Sequence, residues 1–258
     1  MTLLLGLIVG VLFGLTGNGG STLAVPLLVY GLHLRPHAAV CTSMIAVGVM
    51  AGARAVQTTR AGGIDNRLGW RLAFGGLAGA PVGALIGRHL PERWLLLLFA
   101  ALVLIVSARL WRQNAHSATA PPDAVSDTTR TVTRSQEFWR LALLGFTTGI
   151  LSGLLGVGGG FILVPGLVLI SRIEIHRAIA TAMFSVALVS AAATGAHFLA
   201  GQRVSWETTG LFTVGGLIGL WPGTWLAARL SSIRLARILA AGLLLLGAFI
   251  VIHGLANN

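Results

Sequence analysis

The sequence predicts an all-α protein that crosses a membrane several times. Hydrophobic residues make up 55% of its 258 residues and charged residues only 10%, whereas a soluble domain of this size carries about a quarter charged residues. Apolar stretches long enough to span a bilayer recur along the chain. The first of these stretches has no basic region before it, so we expect no cleaved signal peptide.

A second observation is that the chain repeats itself. The stretch GNGGSTLAVP, Gly17 to Pro26, recurs as GVGGGFILVP, Gly156 to Pro165, at an offset of 139 residues. The same offset pairs earlier glycines and later helix residues: Gly6 with Gly145, Gly10 with Gly149, Gly14 with Gly153, Thr42 with Thr181, and Met44 with Met183. With one added residue the pairing continues, so that Gly79 falls on Gly219. The protein is therefore an internal duplication.

The duplication divides the chain into two membrane repeats, 1–111 and 137–258, with four hydrophobic segments each. Residues 112–136 between them are rich in Ser, Thr, Ala and Pro and contain no apolar run, which is typical of a flexible linker. Beyond the first segment of each repeat, we expect helices at about 38–55, 69–88, 94–110, 177–200, 207–229 and 234–253.

The first segment of each repeat is broken at its glycine cluster. One straight helix over residues 1–31 would be about 46 Å long, too long for a hydrocarbon core of about 30 Å. Consecutive glycines also destabilise a helix by about 1 kcal/mol each. We therefore expect two helical arms in each first segment, the second pair at about 138–155 and 160–171. Close helix packing through small residues explains other glycines, such as the Gly75–Gly79 pair.

Two broken helices at matching positions of two repeats are the sequence pattern of a transporter binding site. The arm after each break begins with free N–H groups at the positive end of a helix dipole, which favours an anion. We expect the following residues to bind it: Gly17, Asn18, Gly19, Gly20, Ser21, Thr22, Thr42, Ser43, Gly156, Gly158, Gly159, Gly160 and Thr181. For Thr42, Ser43 and Thr181, a hydrogen bond to the preceding helical turn is the alternative.

The acidic residues support an anion rather than a cation. All seven fall in predicted loops, in the linker or at segment ends, where none can bind a cation or relay protons inside the membrane: Asp65, Glu92, Asp123, Asp127, Glu137, Glu174 and Glu207. We expect no metal and no cofactor.

Three histidines and one arginine lie near the ends of predicted helices. His37 and His176 match across the repeats, each at a turn before a helix. They are either helix-entry residues at the membrane interface or a gate or pH sensor. For His197 a ligand role is the less favoured interpretation. We expect the side chain of Arg54 to extend to the interface.

Composition excludes several other classes of protein. All 18 basic residues are arginine. The chain therefore lacks the lysine that a P-loop needs, which excludes a P-loop nucleotide-binding protein. The net charge of +11 fits arginines in loops between membrane segments better than nucleic-acid binding. A single cysteine, Cys41, excludes an intrachain disulfide and a CxxC motif. Since no GxSG-type nucleophile pairs with a histidine, we expect no enzyme.

The arginines also predict the topology. If residues 1–31 and 138–171 each cross the membrane once, 10 arginines lie on one side and 8 on the other. If each stretch is a hairpin that returns to its own side, 14 of the 18 lie on one side, which the positive-inside rule favours. The hairpins make the two repeats inverted relative to each other, with both termini outside and the linker in the cytoplasm.

The duplicated G-x-G-G-x-x-x-x-x-P signature, the helix after it and the eight-segment plan resemble the sulfite exporter TauE/SafE family of bacterial membrane permeases. The resemblance covers the chain apart from the linker. It implies an inner-membrane secondary transporter, and an exporter, of small anions such as sulfite, thiosulfate, organosulfonates or related organic acids. The second copy matches the signature closely, whereas Asn18 and Ser21 in the first copy add polar groups that we expect to tune the substrate. A passive anion channel, an intramembrane enzyme and assembly into a homo-oligomer stay open as alternatives.

Overall fold

The computed structural model describes residues 1–17, 19–60, 64–116, 134–171, 173, 175–202, 204–227 and 229. These residues form nine α-helices: α1 Thr2–Thr16, α2 Ala24–Leu32, α3 Pro36–Arg60, α4 Asn66–His89, α5 Glu92–His116, α6 Arg134–Leu155, α7 Gly160–Ser171, α8 Ile175–Leu199 and α9 Trp206–Ala227. A short 3-10 segment, Gly19–Leu23, lies between α1 and α2. The all-α prediction is confirmed for this part of the chain, while the predicted helix at 234–253 lies outside it.

Several helices are longer than the sequence predicts. Helix α3 continues through polar residues to Arg60, and the hydroxyls of Thr58 and Thr59 in its last turns donate to the carbonyl oxygen of Ala55. The side chain of Asp65 caps α4 by accepting hydrogen bonds from the backbone amides of Arg67 and Leu68, at 3.1 and 3.2 Å, which fixes its earlier start.

The helices on either side of the predicted linker are also longer than expected. Residues 112–116 belong to α5 and residues 134–136 to α6. Neither stretch contains the Pro or Gly that would end a helix. Residues 117–133, the rest of the predicted linker, lie outside the described residues.

Four of the described helices are long and apolar enough to cross a membrane: Pro36–Thr59, Phe138–Leu155, Arg177–Leu199 and Trp206–Ala227. Two shorter apolar helices cover Thr2–Thr16 and Gly20–Leu32. Large apolar side chains such as Leu4, Phe74 and Leu143 are more than half exposed on the outside of the bundle. An exposed apolar surface of this kind suits a protein that is surrounded by lipid.

Glycines bring helices of the two repeats into backbone contact. A Cβ atom added to Gly10 of α1 would overlap the carbonyl oxygen of Gly216 in α9. The matching residue of the second repeat, Gly149 of α6, would place its Cβ 2.5 Å from the carbonyl oxygen of Gly76 in α4. The first helix of each repeat therefore packs on a later helix of the other repeat, and the two contacts are reciprocal.

The contact between α3 and α8 lies between these two pairs. A Cβ added to Gly48 would lie 3.0 Å from the Cβ of Ser190, and one added to Gly52 would lie 3.9 Å from the Cβ of Ala187. Higher residue numbers on α3 thus lie opposite lower residue numbers on α8, so the two helices run antiparallel. Their contact buries Met44, Val47 and Val186 completely.

We predict that Gly10→Ala destabilises the protein by about 1–3 kcal/mol, because the added methyl group forces two packed backbones apart. The matched control is Gly210→Ala on α9, where an added Cβ meets nothing within 4 Å and alanine is the better helix former. Thermal unfolding in detergent measures both. Equal melting temperatures for the two variants would contradict the packing of α1 on α9.

Candidate functional site

The two glycine breaks have the backbone geometry that requires glycine. Helix α1 ends at Thr16, and Gly17 follows with φ 77°. In the second break, the consecutive residues Gly158 and Gly159 have φ 71° and 65°. Such positive φ values strain residues that carry a Cβ, and only glycine adopts them readily. The local sequence therefore sets the backbone conformation of both breaks.

The two breaks contact each other directly. The hydroxyl of Ser21, in the 3-10 segment of the first break, donates to the carbonyl oxygen of Val157 in the second break, at 2.6 Å. The hydroxyl of Ser43 on α3 donates to the carbonyl oxygen of Gly156 at 2.7 Å. Both serines are almost completely buried. Carbonyls beyond a helix end have no partner within the helix, and these two are satisfied by the other repeat.

Thr16, which the sequence analysis did not include, supports the first break. Its hydroxyl accepts a hydrogen bond from the amide of Gly20 at 2.8 Å and donates to the carbonyl oxygen of Leu12 at 2.7 Å. The only signal in the sequence is that Thr16 is a polar residue at the end of an apolar arm. One amide of the predicted anion site is thus used within the protein.

Each break also packs on the long helix, α3 or α8, that follows the broken segment of the other repeat. A Cβ on Gly17 would lie 3.3 Å from Ile179 of α8, and one on Gly156 would lie 3.0 Å from the Cα of Val40 in α3. Ile179 and Val40 are themselves a pair at the offset of 139 residues. A Cβ on Gly158 would lie 2.6 Å from a methyl group of Val47, which places this glycine beside the middle of α3.

The predicted threonines lie in other contacts. The hydroxyls of Thr42 and Thr209 are 3.3 Å apart, which joins α3 to α9. The hydroxyl of Thr181 on α8 accepts a hydrogen bond from the amide of Asp65 at 3.1 Å. Neither contact joins these threonines to the breaks. Nothing in the sequence indicates Thr209 as a partner, because it lies 167 residues from Thr42.

The remaining predicted residues can be placed only in part. Thr22 is buried in the first break, and Gly160 is the first residue of α7. Gly19 begins the 3-10 segment. Asn18 and the side chain of His176 lie outside the described residues.

Two histidines bind the carbonyl ends of helices. The Nε2 atom of His37 lies 3.0 Å from the carbonyl oxygen of Gly87 at the end of α4, and its Nδ1 atom lies 3.8 Å from a carboxylate oxygen of Glu92. The Nε2 atom of His197 lies 2.9 Å from the carbonyl oxygen of Gly153, just before the second break. The oxygen of Gly87 also accepts from the amide of Leu90 at 3.2 Å, so His37 adds a second partner there, whereas His197 reaches a carbonyl in the last turn of α6, where a helix leaves its oxygens unpaired.

These helices and breaks define a class of protein, a polytopic helical membrane protein with two broken helices that meet inside the bundle. Among the described residues no group of three His, Cys, Asp or Glu side chains could hold a metal ion. The chain belongs to the sulfite exporter TauE/SafE family, whose model matches residues 2–250.

Bacterial relatives agree with this assignment. A probable membrane transporter protein of Xylella fastidiosa strain Temecula1 is 35% identical over 226 residues, which cover 87% of this chain and 83% of the relative. The probable membrane transporter protein YunE of Bacillus subtilis is 24% identical, with coverage of 97% and 96%. The probable membrane transporter protein MamO of Magnetospirillum gryphiswaldense is 27% identical and matches over only 41% of its length. No solved structure matches this chain significantly. The protein is a membrane transporter and not an enzyme.

We predict that Ser43→Ala destabilises the protein by about 1–3 kcal/mol, since it leaves the buried carbonyl oxygen of Gly156 without its donor. The control is Thr147→Ala on α6, whose exposed hydroxyl bonds only to its own helix and should change stability by less than about 0.5 kcal/mol. Chemical or thermal unfolding in detergent compares the two. A Ser43→Ala variant as stable as the wild type would show that this bond does not hold the second break.

Proposed function

We propose that the protein is a secondary transporter, and an exporter, of small anions such as sulfite, thiosulfate, organosulfonates or related organic acids. The substrate is held where the two glycine breaks meet. The hydrogen bond from Ser21 to the carbonyl oxygen of Val157 carries this proposal. It joins the two glycine breaks, which are the clearest feature that the repeats share. The family, described as sulfite exporters, supports the direction of transport and the class of substrate.

Reciprocal contacts support an inverted arrangement of the repeats. The contact of Gly10 with Gly216 is matched by that of Gly149 with Gly76, as expected for two repeats exchanged by a two-fold axis. The same axis exchanges α3 with α8. Since these helices are antiparallel, the axis is perpendicular to them and lies in the plane of the membrane that they cross. An axis in that plane is the symmetry of inverted-repeat transporters.

The direction of the helices also favours hairpins over kinked single spans. If α1 and α2 form a hairpin, and α6 and α7 form another, successive helices alternate in direction and α3 runs opposite to α8. If each broken stretch crosses the membrane once, α3 and α8 run the same way. The contacts of Gly48 with Ser190 and of Gly52 with Ala187 fit the hairpins.

The groups around the breaks favour an anion. The start of α7 at Gly160 offers backbone amides to a ligand, whereas the described carboxylates lie at helix ends. Asp65 caps α4, and Glu92 and Glu207 lie in the first turns of α5 and α9. Amides at a helix start bind a negative charge without a counter-ion. The site therefore suits sulfite or a sulfonate better than a cation.

Transport itself is the test of this proposal. In proteoliposomes of the purified protein, we expect saturable flux of sulfite, thiosulfate or methanesulfonate that responds to an imposed membrane potential. A monovalent anion that leaves a negative cytoplasm gains about 2.3 kcal/mol per 100 mV, which is sufficient to drive export. Isotope or fluorescent-probe flux measures the rate. Flux that follows only a proton gradient would overturn the driving force, and flux that does not saturate would indicate a channel.

A variant of the second break serves as the matched control. Gly159→Leu should abolish flux, because a Cβ at this residue would overlap the side chain of Thr148 and its φ is positive. Gly210→Leu on the open face of α9 should leave flux unchanged. Normal flux in Gly159→Leu would exclude a substrate site at this break.

The topology is tested by labelling single cysteines in a Cys41→Ser background. With hairpins, Leu32→Cys and Ser117→Cys should react with a membrane-impermeant maleimide from opposite sides of the membrane. Leu32→Cys should share its side with Asn258→Cys, outside the cell. Labelling of Leu32→Cys and Ser117→Cys from the same side would contradict the hairpins.

A further inference from the structure

Arg54 is a partly buried positive charge of the bundle that the proposed site does not include. It lies on α3, inside the apolar span Pro36–Thr59, and is only partly exposed. Its Nε atom is buried and has no hydrogen-bond partner among the described residues. No carboxylate of the described residues lies within ion-pair distance of its guanidinium group.

An unpaired arginine at this place needs an explanation. Moving a cation out of water is costly unless an opposite charge or several acceptors compensate it. Ionisable residues inside membrane spans are therefore usually functional and face a partner. The carboxylate of Asp65 on the loop before α4 is engaged, since it caps α4 by accepting from two backbone amides. Among the described residues, Arg54 therefore has no opposite charge to compensate it.

Arg54 lies on the same side of α3 as the residues that contact the second break, about 10 Å further along the helix than Val47. Ser43 bonds the carbonyl oxygen of Gly156, and Val47 lies against Gly158, so these two residues mark the side of α3 that faces the second break. Seven residues make almost two full helical turns. Arg54, seven residues after Val47, therefore lies on the same side of the helix.

The depth of Arg54 matches the first break. Because α3 and α8 are antiparallel, with Gly52 opposite Ala187, Arg54 lies beside the turn of α8 that contains Met183. A Cβ on Gly17 would lie 3.8 Å from the methyl group of Met183. The same Cβ would lie 3.3 Å from Ile179, one turn further along α8, so Gly17 lies within about one to two helical turns of the level of Arg54.

We infer that Arg54 is a substrate-binding residue, whose guanidinium pairs with the negative charge of the anion held between the two breaks. This inference rests on the proposed function. It deepens the proposal by naming the positive group that selects a sulfite- or sulfonate-like oxyanion. A planar guanidinium presents paired N–H donors that match two oxygens of such a group. The offset of 139 residues pairs Arg54 with Ala193, so the charge is present once in the site.

The test compares two arginines of apolar spans in proteoliposomes, with thiosulfate, sulfite or methanesulfonate as the transported probe. Arg54→Gln should raise the KM by about tenfold or more, because hydrogen bonds to charged groups are the strong ones. Arg54→Lys keeps the charge and should restore part of the affinity. Arg140→Gln, at an exposed arginine of α6, should leave the KM unchanged. The melting temperature of Arg54→Gln should equal or exceed that of the wild type, because an unpaired buried charge is removed.

The outcomes separate this inference from the proposed function. If the wild type carries none of the probes, the proposed function fails for them. If the wild type carries a probe and Arg54→Gln has the same KM, Arg54 only extends to the interface and the inference is wrong. Should Arg54→Gln fail to fold, chemical modification of arginines in the wild-type protein tests whether the anion contacts Arg54. The transported probe should protect Arg54 from phenylglyoxal but leave Arg140 reactive, and equal reactivity of Arg54 with and without the probe would overturn the inference.

Discussion

The structure depends on one constraint, that backbone groups freed by the glycine breaks must find partners inside the protein. Lipid supplies neither donors nor acceptors. The carbonyl oxygens of Gly156 and Val157 are satisfied by Ser43 and Ser21, which belong to the other repeat. The carbonyl oxygen of Gly153 has the imidazole of His197. The second break therefore depends on the first repeat for two of its carbonyl oxygens, whereas His197 and Thr16 support the breaks of their own repeats.

That dependence explains why the two repeats are intertwined rather than side by side. A serine hydroxyl is short, so its helix must approach the break closely before the hydrogen bond can form. Close approach needs helices without large side chains at the contact, and glycines of α1 and α6 supply it by packing on the backbones of α9 and α4. Both groups of glycines thus contribute to the contact between the repeats. The glycines of the packed helices let the repeats approach closely, and the glycines of the breaks interrupt the helices where the repeats meet.

The sequence predicted what local rules determine. Apolar length and glycine clusters located the helices, and the offset between Gly17 and Gly156 revealed the duplication. It missed the helix ends that depend on a single side chain, such as the cap of α4 by Asp65. It also could not pair Ser21 with Val157 or Thr42 with Thr209, since these partners are 136 and 167 residues apart. No local pattern encodes such pairs, because they follow from how whole helices pack. Among the predicted site residues, Ser21 and Ser43 bond to carbonyl oxygens of the second break, whereas Thr42 and Thr181 contact other parts of the bundle.

The duplication has diverged where the repeats meet. Ser21, Ser43 and Arg54 of the first repeat correspond to Gly160, Ala182 and Ala193 of the second. The first repeat thus provides the hydroxyls and the positive charge, whereas the second provides bare backbone with carbonyl oxygens to receive them. The contact between the two breaks is therefore unequal, because the donors lie on one repeat and the acceptors on the other. Such a difference can arise only after duplication, when each copy changes to fit the other rather than itself.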